Sequence, residues 1–312
     1  MEKHQDISLV STRWTLFATV AQLGSLTKAA AVLDMRQSAL STQISALERA
    51  CGTRLFSRTG RGLALTALGE QILPRVLSLS REAEQLKHEI QSIGSIPAGE
   101  VRVAVASSVG DLLVNDVFRT CRLRFPKVKL QILEGFSAKV DEWVVTGAVD
   151  IALLHRYGKR QGYGEEKLFQ GSSWLASKGR SKPIGDDKVP FAELNQLPLV
   201  LPSRPSGMRA ILEQIAARKG ISLSIAMEAN SLSIIKEIVS HGDLYTVLPF
   251  HAVHREVEAG MLRVSRIVSP GIDRTVALGT TTQRPLSLAA REVVKVIRAC
   301  ARRLVDTGAW SW

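Results

Sequence analysis

The chain has 312 residues, 45% hydrophobic and 22% charged, a globular composition long enough for two or three domains. There is no run of about 18 apolar residues, and the opening MEKHQDISLVSTRW lacks a basic-then-apolar layout, so neither a membrane span nor a secretory signal is expected. The net charge of +12 suggests a polyanion partner, yet residues 1–92 hold 11 basic against 8 acidic side chains and the remainder 30 against 21, so the excess marks no single module. Cys51, Cys121 and Cys300 form neither a CxxC pair nor a disulfide framework, which fits a reduced, cytoplasmic setting.

In chain order, Trp14, Phe17, Ala18 and Ala21 follow i, i+3, i+4, i+7 spacing and predict a first amphipathic helix, broken at Gly24-Ser25. Thr27–Leu33 predicts a compact second helix whose alanines permit close approach. After a turn at Asp34-Met35-Arg36, Gln37–Arg49 predicts a third helix with Leu40, Ile44 and Leu47 facing inward. Its opposite face is Gln37, Ser38, Ser41, Thr42 and Ser45. A solvated face usually carries Glu and Lys; hydroxyl and amide groups instead reach base edges and phosphates without long flexible side chains. Two short helices with a tight turn suit a helix-turn-helix, and equally a plain three-helix packing unit. Arg54–Thr66 then reads as two short strands around a Gly-rich tip, with Arg58 and Arg61 placed as a wing against phosphate or minor groove.

The pieces GSLTKAA, QSALSTQISALE, LFSRTGRG and LTALGE lie in one gap-free stretch of about 55 residues that resembles the N-terminal signature of LysR-type transcriptional regulators. The resemblance implies a winged helix-turn-helix over residues 1–66 in which Gln37, Ser38 and Ser41 approach bases or nearby phosphates and Arg58 and Arg61 serve the wing. The candidate DNA-contacting set is Thr27, Lys28, Arg36, Gln37, Ser38, Ser41, Thr42, Ser45, Arg58 and Arg61. Many members carry Arg where this chain has Thr42, so that contact is expected to be absent or rearranged.

Thr66 is a plausible N-cap for a long helix. Leu68, Ile72, Val76, Leu79, Ala83, Leu86, Ile90 and Ile93 recur every three or four residues, as in a coiled-coil seam about 40 Å long, with a bend expected at Pro74. The candidate dimerisation residues are Leu68, Ile72, Val76, Leu79, Leu86 and Ile90; family resemblance agrees, since this segment corresponds to the dimerising linker helix. Ser95–Gly99 reads as a hinge, closing a segment of residues 67–99.

Residues 100–312 alternate strand and helix patterns, which predicts an α/β fold with mainly parallel sheets. Strands are expected at Val101–Ala106, Val128–Leu133, Asp150–Leu154, Leu199–Leu201, Leu244–Leu248 and Val276–Gly279. Helices are expected at Leu112–Arg124, Lys139–Thr146, Met208–Lys219, Leu232–Ser240 and Leu288–Leu304. A crossing at Tyr157–Gly164 and a return near residue 270 divide this part into one lobe of about 100–162 and 270–306 and another of about 163–269. Such a two-lobed, type 2 periplasmic-binding-protein-like domain holds ligands where strand ends meet helix N-termini. The candidate effector-binding residues are Ser107, Ser108, Ser137, Ser203, Ser206, Arg209, Ser231 and Thr246, which suit a polar or anionic small molecule; the same serines also suit plain helix caps. EGFSAKVDEWVVTGAVDIALL and LPSRPSGMR resemble the corresponding family segments, and the second half is similar to regulators of nitrogen assimilation.

P-loop, GxGxxG, HExxH, GxSxG and paired-Cys zinc patterns are absent, so neither a cofactor nor a catalytic role is expected, and His251 with His254 is too sparse for a metal site. The leading reading is a ligand-responsive regulator whose partners are double-stranded DNA, a small effector and further copies of itself, as a dimer or, by resemblance, a tetramer. The resemblance also brings in RNA polymerase as a candidate partner. The rivals are a solute-binding or enzymatic α/β protein with an oligomerising N-terminus, and a constitutive repressor with a vestigial sensing domain.

Overall fold

The computed structural model describes residues 11–59, 62–91, 96–158, 164–179 and 187–307. By its internal contacts the chain divides into a first unit, residues 1–99, and a second, residues 100–312.

The first unit opens with α1 (Thr12–Leu23), α2 (Leu26–Val32) and α3 (Gln37–Cys51). Gly24, at φ 60°, ends α1 by donating its N–H to the Val20 carbonyl at 2.9 Å, a left-handed cap that glycine adopts without steric cost. Ser25 caps α2 by accepting the Lys28 N–H. Leu40, Ile44 and Leu47 of α3 are buried against Leu16, Phe17 and Val20 of α1 and the small Ala29 and Ala30 of α2. β1 (Phe56–Thr59) pairs antiparallel with β2 (Gly62–Leu65), and the Phe56 ring lies 5.3 Å from that of Phe17, tying the hairpin to α1.

α4 (Ala67–Gln91) follows, 25 residues or about 37 Å long, and continues through Pro74. Thr66 is its N-cap: the hydroxyl accepts the Gly69 N–H at 3.1 Å and donates to the Arg54 carbonyl at 3.0 Å. The apolar stripe is not one continuous exposed seam. Val76 is buried in the core of its own unit and Ile72 is half-buried against it, because the first turns of α4 pack on α1. Leu68, Leu79 and Leu86 are exposed. The side chain of Ile90 and residues 92–95, including Ile93, lie outside the described residues.

The second unit runs β3 (Gly99–Ala106), α5 (Ser107–Arg124), β4 (Val128–Gly135), α6 (Ser137–Val145), β5 (Ile151–Tyr157), β6 (Glu166–Lys178), β7 (Lys188–Pro190), β8 (Pro198–Leu201), α7 (Gly207–Lys219), β9 (Ser224–Glu228), α8 (Leu232–His241), β10 (Thr246–Pro249), α9 (His254–Glu258), β11 (Leu262–Val268), β12 (Asp273–Thr280) and α10 (Leu288–Asp306). The main sheet has the order β4-β3-β5-β12-β6-β11-β7, with β10 also on β6; β8 and β9 pair separately.

The expectation of mainly parallel sheets is corrected. β3 with β5, β7 with β11 and β8 with β9 run parallel, but β12 is antiparallel to both β5 and β6, and β6 is antiparallel to β10 and β11. The cause is the double crossing itself, since a chain that leaves and returns lays its returning strand against the outgoing one. β6, which the residue pattern did not predict, is the shared element. Its Glu166–Ser172 half pairs with β12 and its Ser173–Lys178 half with β10 and β11.

The alternation of β5 sends Ile151 and Leu153 into a core shared with α5 and α10, and Ala152 and Leu154 into a core under α6. This sheet is therefore covered on both faces, as near-continuous apolar strands require. A further core joins Leu199 and Leu201 of β8, Leu212 of α7 and Val247 of β10. Asp150 and Arg284 form a buried pair at 2.7 Å, and the remaining Asp150 oxygen accepts the Arg102 N–H at 2.8 Å, so neither charge is left uncompensated.

Candidate functional site

In the first unit, α3 presents Gln37, Ser38, Thr42 and Ser45 as exposed residues, with Ser41 half-buried in a groove bounded by Leu26, Ile44, Arg54 and Leu63. Thr27 of α2 donates to the Gln37 side-chain oxygen at 3.3 Å, fixing that amide at the start of the helix. The hydroxyl of Thr42 donates to the Ser38 carbonyl at 2.9 Å, so its proton is engaged within the helix. The only carboxylate of α3, Glu48, lines the same groove as Ser41 and Ser45, where it accepts the N–H groups of Leu55 and Phe56 at 2.8 and 3.1 Å. It thereby ties the hairpin to α3.

Lys28, Arg36, Arg49 and Arg54 are exposed and form no ion pair among the described residues. Arg58 lies in β1 opposite Leu63, and Arg61 lies outside the described residues. Gly69 was not singled out from sequence, yet a Cβ there would stand 2.4 Å from the Leu55 carbonyl oxygen. Only glycine lets α4 approach the hairpin this closely.

In the second unit a cavity of about 70 Å³ is lined by seven separate segments, among them the starts of α5, α6, α7 and α8. Four of the eight sequence-predicted residues line it: Ser107, Ser108, Ser137 and Ser206. α5 begins at Ser107, directly out of β3, so both serines belong to its first turn and not to a preceding loop. The Ser108 hydroxyl meets His155 Nε2 at 2.5 Å, and the Ser137 hydroxyl accepts the His155 N–H at 3.4 Å. Ser206 caps α7 by accepting the Arg209 N–H.

The other four do not line the cavity. The Arg209 guanidinium is buried and paired with Glu213 and Glu228. Ser231 caps α8, Ser203 donates its N–H to Asn230 at 3.0 Å, and Thr246 is fully buried on β10.

Sequence reasoning missed His155, Tyr157 and Arg274, which sheet register brings together. Tyr157 and Arg274 are directly opposite on β5 and β12, and His155 lies two residues back on the same face. Arg274 faces Gly171 of β6 on its other side, where no side chain competes for the space. The signal available in sequence was a His-Arg-Tyr run ending an otherwise apolar strand. Burial pushes the imidazoles of His155 and His251 well below the ordinary value, and the neighbouring Arg274 charge adds to this, so both are neutral at pH 7.

Burial lowers Arg274 itself to about 10, while a hydrogen bond to Tyr157 acts the other way; it remains cationic. His254 Nδ1 meets the His251 carbonyl at 2.9 Å, and the His251 ring meets Arg274 at 3.2 Å. No group of three or more His, Cys, Asp or Glu side chains is placed to hold a metal ion among the described residues. Burial pushes the Cys121 thiol up to about 11, with Cys300 adding to the effect, which keeps it a thiol.

Residues 12–70 match the lysR family of bacterial regulatory helix-turn-helix proteins, and residues 95–301 match the LysR substrate-binding domain. The nitrogen assimilation regulatory protein Nac of Klebsiella aerogenes is 25% identical over 93% of this chain and 95% of its own. The transcriptional regulator BbuR of Bordetella bronchiseptica is 27% identical over 92% and 90%. Among solved structures, full-length OxyR from Pseudomonas aeruginosa has a TM-score of 0.69 at 21% identity and covers 95% of both chains. CbnR in complex with its target DNA has a TM-score of 0.67 at 19% identity and covers 93% of this chain and 98% of its own. With matches to both of its parts that together span most of its length, the chain belongs to the LysR family of transcriptional regulators, proteins that join a DNA-binding helix-turn-helix to an effector-binding domain and are not enzymes.

Proposed function

We propose that two copies of this chain pair through α4 and read an interrupted palindrome, and that a small molecule in the second unit's cavity shifts the protein between two DNA-binding states. The observation that carries the DNA-reading part is the α3 face. Its exposed groups are amide and hydroxyl, its one carboxylate is held by two backbone N–H groups, and it is flanked by four cations that form no ion pair among the described residues. Those cations supply phosphate attraction, and the short polar groups supply base contacts in the major groove. Arg58 and Arg61 extend the contact through the wing.

Dimerisation is supported by the exposed Leu79 and Leu86, spaced by one heptad on α4. Family resemblance extends the assembly to a tetramer on DNA and to contact with RNA polymerase. Three free cysteines support a reducing, cytoplasmic setting. No helix among the described residues is long and apolar enough to cross a membrane. An effector acts here only through its preference for one of the two states.

The test is selection of bound duplexes from a random pool, run with the full chain and with Ser41→Ala. Enrichment of an interrupted palindrome that the variant loses is expected; no enrichment at a salt concentration where non-specific binding is weak would overturn the reading. Sedimentation of Leu79→Asp is expected to show a smaller species, and an unchanged profile would remove α4 from the interface.

A further inference from the structure

Three arginines are buried among the described residues. Arg284 is paired with Asp150, and Arg209 with Glu213 and Glu228. Arg274 is different. Among the described residues its side chain has no carboxylate within ion-pair distance, its Nη2 meets the neutral His251 ring, and its Nε and Nη1 are buried without a hydrogen-bond partner. A buried guanidinium in this condition is costly unless an anion compensates it.

Arg274 is also a wall of the cavity, and that cavity's lining contains no Asp, Glu or Lys. Among the described residues Arg274 is therefore the single formal charge facing the space. Around it stand neutral hydrogen-bonding groups, Ser108, Ser137, His155 and Tyr157. The lining also has an apolar part, which includes Met208, Leu232, Ile235 and Val247.

We propose that the cavity takes a small monocarboxylate, with its carboxylate on Arg274 and its short apolar body against Met208, Leu232, Ile235 and Val247. The proposal rests on reading this cavity as the effector site, and adds to it the ligand class and the residue that selects for charge. One cation matches one negative charge; a dianion would bury a second charge against the apolar wall with no partner. The size fits only a very short chain: an engineered apolar cavity of about 150 Å³ holds benzene, and this one is about 70 Å³, which matches a ligand nearer the size of acetate. The starts of α5, α6 and α7 supply further partial positive charge to the same space.

The experiment is calorimetric titration of the full chain with sodium acetate, acetamide and sodium sulfate at matched ionic strength, repeated with Arg274→Gln and Arg274→Lys. Acetate is expected to bind at least about tenfold more tightly than acetamide, the scale of one charge-assisted hydrogen bond. Arg274→Gln should abolish that preference and Arg274→Lys should retain part of it. Equal binding of acetamide, sulfate binding as tight as acetate, no acetate binding, or an unchanged preference in Arg274→Gln would each overturn the proposal. If Arg274→Gln does not fold, the comparison of acetate with acetamide on the unaltered chain decides alone. The DNA selection separates the two claims: enriched DNA without carboxylate binding removes only the monocarboxylate, and carboxylate binding without enriched DNA removes only the regulator reading.

Discussion

The polar face of α3 takes its side chains from one 15-residue helix, whereas the cavity of the second unit draws on seven segments spread from Ala106 to Arg274. On α3, helical spacing alone puts Gln37, Ser38, Ser41, Thr42 and Ser45 on one side, whatever the rest of the chain does. In the cavity nothing local brings His155 to Arg274; the register between β5 and β12 does. Sites of the first kind are assembled by secondary structure and held by a few contacts at their margins. Sites of the second kind exist only once the whole sheet has formed, and their chemistry depends on burial.

The largest effect expected is at a margin of the first site. Gly69→Ala should destabilise the first unit by about 3 kcal/mol, because the new methyl collides with the Leu55 carbonyl. Urea unfolding followed through Trp14 reports it, and a loss below about 0.5 kcal/mol would show that the hairpin yields easily. Glu48→Ala should cost about 2 kcal/mol, since it strips the acceptor from two backbone N–H groups at once. Its DNA affinity should fall with it, and retained affinity would mean that the wing is placed by other contacts.

For the second site the distinguishing variable is pH. His155 and His251 have folded-state values below the unfolded one, so the unfolded chain takes up protons first as pH falls. Their contribution is complete above about pH 6.5 and is lost below it, by up to about 1.4 kcal/mol per pH unit for each ring. Urea midpoints from about pH 7.5 down to pH 5 measure this, and His155→Gln should flatten the slope by about one histidine's share. An unchanged slope would show that His155 does not stay neutral as the pH falls. The smallest effect is Ser41→Ala, expected to change stability by less than about 0.5 kcal/mol while weakening specific binding by about 1 kcal/mol. Equal losses in specific and non-specific binding would assign Ser41 to phosphate and not to bases.

This contrast also explains what could be read in advance. The three opening helices, the hairpin and the Thr66 cap follow from local periodicity and capping chemistry, and their positions were legible within a residue or two. β6 was not legible, because Gly171-Ser172-Ser173 interrupts its apolar pattern at the point where its pairing partner changes. Four of the six expected cavity serines do line it, since strand-to-helix junctions converge there. Arg274 escaped notice because a charged residue at the start of a strand usually faces water, and only the crossing of β5, β12 and β6 buries it. Val76 shows the converse: a coiled-coil spacing on α4 whose first part is taken up by the chain's own core.

The continuity of β6 sets a mechanical limit. One half of it is laced to β12 and the other half to β10 and β11, so the walls of the cavity are joined by one continuous strand as well as by looser connections. Rotation of one wall against the other has to be taken up as added twist along this strand, spread over several residues, and resisted by every pairing it carries. Such a joint behaves as a torsion spring: it opposes a wide swing, so two states of the cavity can differ only by a small angle.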